Sequence, residues 1–599
     1  MENVEIARIF TSYADFLEIQ GENPFRVRSY RKAAQTMEGL PRPVAQLVEE
    51  GEDLTKLAGV GSSMAEHIRE ILETGTLSAF EKIHREVPPT LADLMHLEYL
   101  GPKRTKQLYD ELGITSVAEL TKALDAGKVK ALAGFGKKTA ENLRRAIDSF
   151  ERRAKRFLLA DADQLVQPLL AYLRQAPDIE EVELAGSYRR RQETVGDIDI
   201  LATCEAPEPV MQHFQSYPHI ERVEAAGTTR GTIVLRSGLQ VDLRIVPRRS
   251  YGAALYYFTG SKGHNVAVRK LGIERGLRIN EYGVFQVPKG KKVEDLEGEE
   301  GKRIGGETEE EVFRAVGLVW IPPELREDRG EIQAAQARQL PKLITLDDIR
   351  GDLQMHSRWS DGSHTIEEMA RACQKRGYEY CAITDHSQST RVAGGLDAQA
   401  FKKQWQEIEE VRRRFDGIVV LKGVELDILP DGSLDLPDEV LEHFDIVLVS
   451  VHSKLDMKKT PMTKRILKAL AHPAVDILAH PTSRQIHKRE PIEVDLEEVF
   501  HAAKEHHVAV ELDAQLQRLD LNDVHVYRAR ELGVKIAIDT DAHSVDHLRF
   551  MSYGIDQARR GWLEKGDVVN TLSWSDFQQW LQRKRRRGLA SRKRRRGIA

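Results

Sequence analysis

The sequence predicts a multidomain protein that is α+β in its first half and α/β in its second half. At 599 residues the chain is too long for one hydrophobic core, and a usual domain size of about 150 residues suggests roughly four domains. Residues 1–150 contain short helical segments separated by glycine-containing turns. Residues 348–580 alternate nearly continuous apolar strands with helices, which is typical of a parallel sheet covered on both faces.

Composition excludes several classes of protein. The chain has no apolar run of about 18 residues, so we expect neither a membrane-spanning helix nor a membrane partner. The N-terminus lacks the features of a secretory signal. Cys204, Cys373 and Cys381 form no CxxC pair, which favours a reducing compartment over disulfides or a zinc ribbon. We therefore expect a cytoplasmic protein, and a monomer, although no sequence feature bears on the oligomeric state.

A turn-and-helix motif recurs in residues 1–150. Its copies are LAGVGSSMAEHIREIL (57–72), LEYLGPKRTKQLYDEL (97–112) and LAGFGKKTAENLRRAI (132–147). A glycine turn before a helix exposes backbone N–H groups and the positive end of the helix dipole to a phosphate. The motif resembles the helix-hairpin-helix repeat of DNA-repair proteins. The resemblance implies that the DNA backbone is contacted at Gly59, Gly61, Gly101, Gly134 and Gly136.

Acidic residues occur in two of the strand-like segments EEVELAG, GDIDILAT, GTIVLR and LQVDLRIV of residues 151–320. Asp197 and Asp199 are two residues apart, so their side chains point to the same face of a strand. Asp242 has the same context, and three carboxylates converge if the two strands are neighbours. Such a cluster is stable mainly around divalent cations, whereas a lone D-x-D motif more often lies on a solvated strand face.

The surrounding motifs resemble the X family of DNA polymerases. They are AGSYRRRQETVGDIDIL (185–201), QVDLRIVP (240–247), YGAALYYFTGSKGHN (251–265) and GLRINEYGVF (276–285). The resemblance implies a template-directed, gap-filling DNA polymerase of base excision repair, which uses gapped or primer-template DNA, deoxynucleoside triphosphates, and Mg²⁺ or Mn²⁺. It also implies a lyase-like DNA-binding domain (1–88), a helix-hairpin-helix fingers-type domain (89–150), a palm with a mixed or antiparallel sheet (151–250) and a thumb-type nucleotide-selection domain (251–320).

The same resemblance assigns roles to individual residues. Asp197, Asp199 and Asp242 would be catalytic metal ligands. Ser187, Arg190 and Gly196 would hold the β- and γ-phosphates. The remaining nucleotide contacts would be Tyr257, Phe258, Gly260, Lys262, Asn265 and Arg269. Family members with 5′-deoxyribosephosphate lyase activity have a lysine where this chain has His67, and Ser63 replaces another. A neutral imidazole cannot form a Schiff base, so we expect lyase activity to be absent or weak.

Histidines and acids follow the apolar strands of the second half. The segments are GDLQMHSRWSDG (351–362), TDHS (384–387), KGVELD (422–427), SVHSKL (450–455), LAHPT (478–482) and DTDAHS (539–544). Their order resembles the PHP (polymerase and histidinol phosphatase) family, a distorted (β/α)7-type barrel that binds up to three metal ions. The resemblance implies 3′–5′ exonuclease or phosphoesterase chemistry at Mn²⁺ or Zn²⁺, with Glu425 as a catalytic, bridging carboxylate. The implied ligands are His356, Asp361, His386, Glu425, His452, His480, Asp541 and His543.

One departure leaves alternatives open. The first PHP motif is His-x-His, but this chain has Gln354 before His356, and an amide oxygen is a weaker ligand than imidazole. The barrel could therefore bind one ion loosely, or be a relic within a DNA-binding repair scaffold, or act as a small-molecule phosphatase. Residues 321–347 are interpreted as a linker, 348–580 as the PHP domain and 581–599 as a basic tail. The tail has ten Lys/Arg and no acid in residues 583–599 and is either a solvated tail or a nonspecific phosphate-binding segment.

Overall fold

The computed structural model describes residues 3–39, 44–57, 59–86, 88, 90–95, 97, 100–153, 156–293, 296 and 298–582. The basic tail therefore lies outside the described residues, apart from Leu581 and Gln582. Within the described part of the chain, no helix combines the length and the apolarity needed to cross a membrane.

The first part of the chain is helical, as the sequence predicts. The helices are α1 (Asn3–Gln20), α2 (Pro24–Gly39), α3 (Val44–Glu49), α4 (Ser62–Thr74), α5 (Ser78–Glu86), α6 (Leu91–Met95), α7 (Pro102–Leu112), α8 (Val117–Asp125) and α9 (Lys137–Arg153). They share one apolar core that includes Phe10, Ile68, Leu108 and Phe135. The helices of the predicted repeats, α4, α7 and α9, begin directly after the glycines of their turns.

The next part is built on a mixed sheet. Its elements are β1 (Phe157–Leu158), α10 (Leu159–Leu173), β2 (Ile179–Leu184), α11 (Gly186–Arg189), β3 (Thr194–Val195), β4 (Asp197–Cys204), α12 (Pro207–Gln215), β5 (Ile220–Ala226), β6 (Arg230–Leu235) and β7 (Gln240–Ile245). The main sheet has the order β2-β4-β7-β6-β5. Only the β4–β7 pair of this sheet is parallel. All the strand-like segments predicted here are strands.

A smaller α+β unit follows. It contains α13 (Tyr251–Thr259), α14 (Lys262–Glu274), β8 (Leu277–Asn280), β9 (Gly283–Gln286), β10 (Lys302–Gly305) and α15 (Glu309–Ala315). Its antiparallel sheet has the order β10-β9-β8. Tyr256, Val284 and Phe313 are fully buried in its core.

The segment 321–347 differs from the linker that its composition suggested. Ile321, Leu325 and Ile332 are buried in the same core as Phe313, and α16 (Glu331–Gln336) lies within the segment. Arg326 is completely buried and forms an ion pair with Glu309 at 2.6 Å. The apolar residues of this segment are widely spaced among prolines and an Ala/Gln-rich stretch, so they show no helical or strand period. They are nevertheless enough to pack the segment against the core.

The last part is the predicted α/β barrel. Its elements are β11 (Gly351–Asp352), α17 (Ile366–Lys375), β12 (Tyr380–Ile383), α18 (Ala398–Arg414), β13 (Val419–Asp427), α19 (Asp438–Leu441), β14 (Ile446–Ser450), α20 (Lys459–Leu470), β15 (Ile477–Leu478), α21 (Leu496–His506), β16 (Ala509–Asp513), α22 (Asp523–Leu532), β17 (Ile536–Asp539) and α23 (Met551–Arg560). Among the described residues, the seven strands are all parallel and neighbours in chain order. The His356 N–H donates to the Ala542 carbonyl at 2.8 Å, which nearly closes the barrel.

Replacement of Gly252 by alanine tests how the smaller α+β unit is packed. A Cβ atom there would lie 2.1 Å from the carbonyl carbon of Thr308. Alanine gains up to about 1 kcal/mol in a helix, but overpacking against backbone costs about 3 kcal/mol. We expect Gly252→Ala to destabilise the protein by about 2 kcal/mol, measured as a lower Tm. Gly566→Ala, where the new Cβ has no atom of the described residues within 4 Å, is the control. Equal Tm values for the two variants would contradict this packing.

Candidate metal centres

The first candidate centre is formed by carboxylates on the neighbouring strands β4 and β7. In the parallel register Asp199 lies directly opposite Asp242, and Asp197 precedes Asp199 by two residues on the same face. The Thr232 hydroxyl and the Gln240 amide donate to Asp242, the latter at 2.9 Å. The structure thus brings together the three acids that the sequence singled out.

The electrostatics of this cluster fit a bound cation. Burial raises the pKa of Asp199 to about 6, and the charges of Asp197 and Asp242 contribute. Burial and Asp242 also raise the pKa of Asp197. Carboxylates that repel each other in a partly buried position are the ligand set that divalent cations such as Mg²⁺ and Mn²⁺ prefer. The residues present therefore fit a metal-dependent site.

Gly186 is a site residue to which the sequence analysis gave no role. It lies in the left-handed region (φ 61°), and a Cβ atom there would lie 2.5 Å from Oδ2 of Asp199. The turn at the start of α11 therefore approaches the carboxylate too closely for any side chain. Its only signal in the sequence is its place in the AGSYRRR motif, directly after a strand.

Several predicted nucleotide-binding residues lie together beside the acids. Arg190 follows α11, and its Nη1 donates to the Thr259 carbonyl at 2.5 Å. A Cβ atom on Gly260 would lie 3.3 Å from that same nitrogen. Asn265 donates to the carbonyl of Tyr257 at 2.7 Å. The end of α13 and the start of α14 thus form a wall next to Arg190.

The other predicted residues lie on the same elements. Ser187 is in α11, and Gly196 directly precedes β4. Phe258 is on α13 beneath the guanidinium of Arg244, at 4.3 Å. Lys262 starts α14, and the Arg269 Nε on that helix donates to the Asn265 carbonyl at 3.3 Å.

The second candidate centre is grouped around the buried carboxylate of Glu425, near the end of β13. Its oxygens lie 2.7 Å from Nε2 of His480, 3.1 Å from Nε2 of His452 and 3.1 Å from Nδ1 of His386. His356 is 3.4 Å away. These imidazoles lower the pKa of Glu425 well below its usual value, against the opposing effect of burial.

Two further acids complete this cluster. Asp541 lies 3.0 Å from Nε2 of His356, and Asp361 lies 3.3 Å from Nε2 of His543. Asp361 is also 3.8 Å from His386. The eight ligands predicted from the strand-end motifs therefore lie in one continuous group at the mouth of the barrel.

The imidazole and carboxylate groups in the barrel are suited to bind metal ions. Among the described residues, the buried Nδ1 atoms of His356 and His386 have no hydrogen-bond partner, although Nδ1 of His386 faces Glu425. His480 and Asp541 adopt positive φ values of 26° and 45°, a strained conformation that is common at functional sites. Three overlapping groups of ligand atoms could each hold an ion: His356, Asp361, His386 and His543; His386, Glu425 and His452; His356, Glu425 and Asp541.

Comparison with known proteins relates the parts of this chain to known families. Family models match the helix-hairpin-helix domain (residues 1–77), a SAM-like helix-hairpin-helix tandem (91–149), the DNA polymerase beta thumb (254–327) and the PHP domain (352–515). A Bacillus subtilis protein named DNA polymerase/3′-5′ exonuclease PolX is 39% identical over 97% of this chain and 100% of its own length. The chain belongs to the X family of DNA polymerases that carry a C-terminal PHP domain.

The barrel alone also has separate relatives. A probable phosphatase of Caldanaerobacter subterraneus is 29% identical over 40% of this chain and 94% of its own length. A probable phosphatase of Acetivibrio thermocellus is 31% identical over 37% of this chain and 90% of its own length.

Gln354 departs from the PHP pattern, and the structure shows what it contacts. In the amide orientation that satisfies its neighbours, the Gln354 nitrogen lies 3.2 Å from Oε2 of Glu511. Glu511 is fully buried, and burial together with Asp513 raises its pKa well above the usual value. The sequence analysis gave Glu511 no role. In the sequence, Glu511 is marked only as an acid near the end of the strand VAVELDA. Other strands also end in acids, so this feature did not single it out.

We expect Gln354→His to strengthen the binding of one metal ion to this X-family polymerase. The variant places a second imidazole beside His356 and Asp541, where imidazole is a better ligand than an amide oxygen. The dissociation constant for that ion should fall at least about tenfold, or about 1.4 kcal/mol. Metal content after equilibrium dialysis against Mn²⁺ measures this effect. Gln388→His, which adds an imidazole outside the predicted ligands, is the control, and an equal metal content in both variants would contradict the expectation.

Proposed function

We propose that this chain is a template-directed, gap-filling DNA polymerase of DNA repair whose PHP barrel is a metal-dependent 3′–5′ exonuclease. The observation that carries the proposal is the parallel register of β4 and β7, which sets Asp199 opposite Asp242 on the face that also bears Asp197. Near full-length similarity to a protein named DNA polymerase/3′-5′ exonuclease supports both activities.

The proposed domains follow the boundaries predicted from the sequence. We assign residues 1–88 to a lyase-like DNA-binding domain, 89–150 to a fingers-type domain, 151–250 to the palm, 251–320 to the thumb-type domain and 348–580 to the PHP domain. The packed segment 321–347 extends the thumb-type domain rather than separating it from the barrel. DNA would lie along the glycine turns before α4, α7 and α9, because their N–H groups suit phosphate oxygens.

In the proposed polymerase reaction, Asp197, Asp199 and Asp242 hold the metal ions and fix where the primer end meets the nucleotide. Bound Mg²⁺ or Mn²⁺ supplies positive charge that activates the 3′-hydroxyl and stabilises the leaving pyrophosphate. Thr232 and Gln240 orient Asp242 through their hydrogen bonds, so this carboxylate is held before substrate binds.

The nucleotide would lie between α11 and α13. Ser187, Arg190 and Gly196 would bind the β- and γ-phosphates, since an arginine fork matches phosphate oxygens. The sugar would lie against Tyr257, Phe258 and Gly260. Asn265 and Arg269 would contact the nascent base pair, and Lys262 would be a further nucleotide contact.

The barrel would hydrolyse the phosphodiester bond at a 3′ end. Glu425 would hold metal together with the histidines and aspartates around it, which offer up to three sites for Mn²⁺ or Zn²⁺, and it belongs to two of the three candidate groups. Bound metal supplies a hydroxide nucleophile at neutral pH. The depressed pKa of Glu425 keeps this carboxylate ionised and ready to bind metal.

A second candidate function for the barrel is small-molecule phosphomonoesterase activity. It is favoured by the similarity of the barrel to probable phosphatases from two organisms. A competition assay separates the two functions: a sugar phosphate in excess slows primer degradation only if both substrates use the same site. We also propose that the enzyme is cytoplasmic, which its three free cysteines and its DNA-processing relative support, and that it is a monomer.

Single substitutions should separate the two activities. We expect Asp242→Ala to reduce nucleotide incorporation on a one-nucleotide gap by at least about 1,000-fold, because loss of a metal ligand removes about 4 kcal/mol or more of transition-state stabilisation. Primer degradation should persist in this variant. Glu425→Ala should do the reverse. Both activities are measured on the same labelled primer with Mg²⁺ and with Mn²⁺.

The exposed Glu205→Ala is the control for removal of a palm carboxylate. Loss of both activities in Asp242→Ala, with an unchanged Tm, would contradict two separate centres. If the wild-type enzyme adds no nucleotide to the gap, the polymerase assignment itself is wrong.

The N-terminal domain should lack lyase chemistry. The Nδ1 of His67 lies 3.1 Å from the Tyr30 hydroxyl, and the two rings are stacked. An imidazole cannot form the imine that the reaction needs. We expect no borohydride-trapped adduct between the wild-type chain and a 5′-deoxyribosephosphate end, whereas His67→Lys supplies an amine at this position as a positive comparison. An adduct of the wild-type enzyme mapped to residues 1–88 would refute this expectation.

A further inference from the structure

Helix α23 of the barrel packs against the loop that follows α11 in the palm. Arg191 of this loop forms an ion pair with Asp556 at 2.6 Å, and its carbonyl accepts from the Gln557 amide at 3.0 Å. The Tyr553 hydroxyl donates to Asp163 of α10 at 2.7 Å. The barrel helix therefore contacts the palm next to the predicted triphosphate site, through polar groups that are mostly buried.

Arg190, the predicted triphosphate contact, lies at the centre of this interface. Its Nε donates to Glu327 at 3.0 Å, and Glu327 also accepts from Arg560 of α23 at 3.0 Å. The same nitrogen of Arg560 donates to the backbone carbonyl of Arg190 at 2.6 Å. Gln192 donates to Glu327 at 3.0 Å. One arginine of the barrel thus holds both the backbone of Arg190 and the acid that orients its side chain.

Arg560 is itself fixed on its other side. Its second terminal nitrogen donates to Asp523 of α22 at 2.7 Å, and Asp523 also pairs with Arg329 at 2.9 Å. The Arg560 side chain is only 3% exposed, so these contacts are made in a desolvated environment. Burial alone would raise the pKa of Glu327, but Arg560 and Arg190 hold it below its usual value. Glu327 is therefore ionised while it bridges the two arginines.

These contacts occupy two of the three guanidinium nitrogens of Arg190, whose side chain is 12% exposed. Nε is bound to Glu327 and Nη1 to the Thr259 carbonyl. Nη2 has no hydrogen-bond partner within the part of the chain that the structure describes. A guanidinium held at two of its nitrogens loses little freedom when a phosphate binds to the third, and pre-organisation of this kind strengthens binding.

We propose that Arg560 of the PHP barrel and Glu327 are positioning residues of the polymerase site, which hold Arg190 in the orientation that binds the triphosphate of the incoming nucleotide. The inference rests on the proposed polymerase function and on the phosphate-binding role of Arg190. It makes the barrel a structural part of nucleotide binding, independent of the hydrolytic chemistry at its metal centre.

The test is steady-state nucleotide incorporation by the full-length enzyme on a one-nucleotide gap. We expect Arg560→Ala to raise KM for the nucleotide at least tenfold and to change kcat less than threefold, because the group lost orients a binding contact. Primer degradation in the absence of nucleotides should stay at the wild-type level. Arg560→Lys keeps a hydrogen-bond donor at this position, so its KM should lie between those of Arg560→Ala and the wild type.

Arg559→Ala is the matched control on the same helix. Arg559 pairs with Glu324 at 2.7 Å and donates to the Ile344 carbonyl, so its loss also weakens the interface but leaves Arg190 untouched. Its KM should equal that of the wild type. If Arg560→Ala does not fold, the isosteric Glu327→Gln gives the same test, with an expected rise in KM of at least threefold.

The outcomes are distinguishable. An unchanged or lowered KM in Arg560→Ala or Glu327→Gln overturns the inference, and so does an equal rise in Arg559→Ala. A fall in incorporation and in primer degradation together shows a merely structural role and also overturns it. A wild-type enzyme without incorporation means instead that the proposed polymerase function has failed.

Discussion

The polymerase half depends on the parallel register of β4 and β7. A shift of one residue would turn Asp242 to the opposite face of the sheet and separate it from Asp199. The register is held by the alternate residues of both strands, since Ile198, Val241 and Leu243 are fully buried. Apolar packing on one face thus forces carboxylates together on the other, where burial, and then their mutual repulsion, raise the pKa of Asp199. A cation relieves that repulsion, so the fold creates the affinity for metal.

The barrel meets the same constraint with different groups. Glu425 is almost completely buried, where an isolated carboxylate would be strongly disfavoured, and its nearest neighbours are imidazoles, although Asp541 lies in one ligand group with it. Parallel strands bring all their carboxyl ends to one rim, so residues far apart in the chain meet there. The strained backbone at His480 and Asp541 indicates that the placement of these side chains prevails over local conformational preference at this rim.

Period and spacing predicted the strands, a parallel sheet in the second half and the three acids on β4 and β7. The barrel form and the acids around Glu425 were implied by the resemblance to the PHP family. Contacts between distant residues were not predictable in this way. Gly186 can be recognised as a site residue only from its contact with Asp199 in the structure. Glu511 can be recognised only from its contact with Gln354. The segment 321–347 was misread because its few buried apolar residues follow no regular period. Local composition indicates how a segment could fold by itself. The contacts of Gly186 and Glu511 and the packing of segment 321–347 depend instead on distant parts of the chain.

Three consecutive arginines explain why the palm needs partners from other parts of the chain. Adjacent like charges repel, and each of the arginines at the end of α11 and in the loop after it has a separate acid as its partner. Arg189 pairs with Glu309, Arg190 with Glu327, and Arg191 with Asp556 of the barrel. Buried ion pairs of this kind add little net stability, because desolvation offsets their attraction. Their effect is geometric: the three guanidinium groups are held from three directions, so the position of each is set by its partner acid.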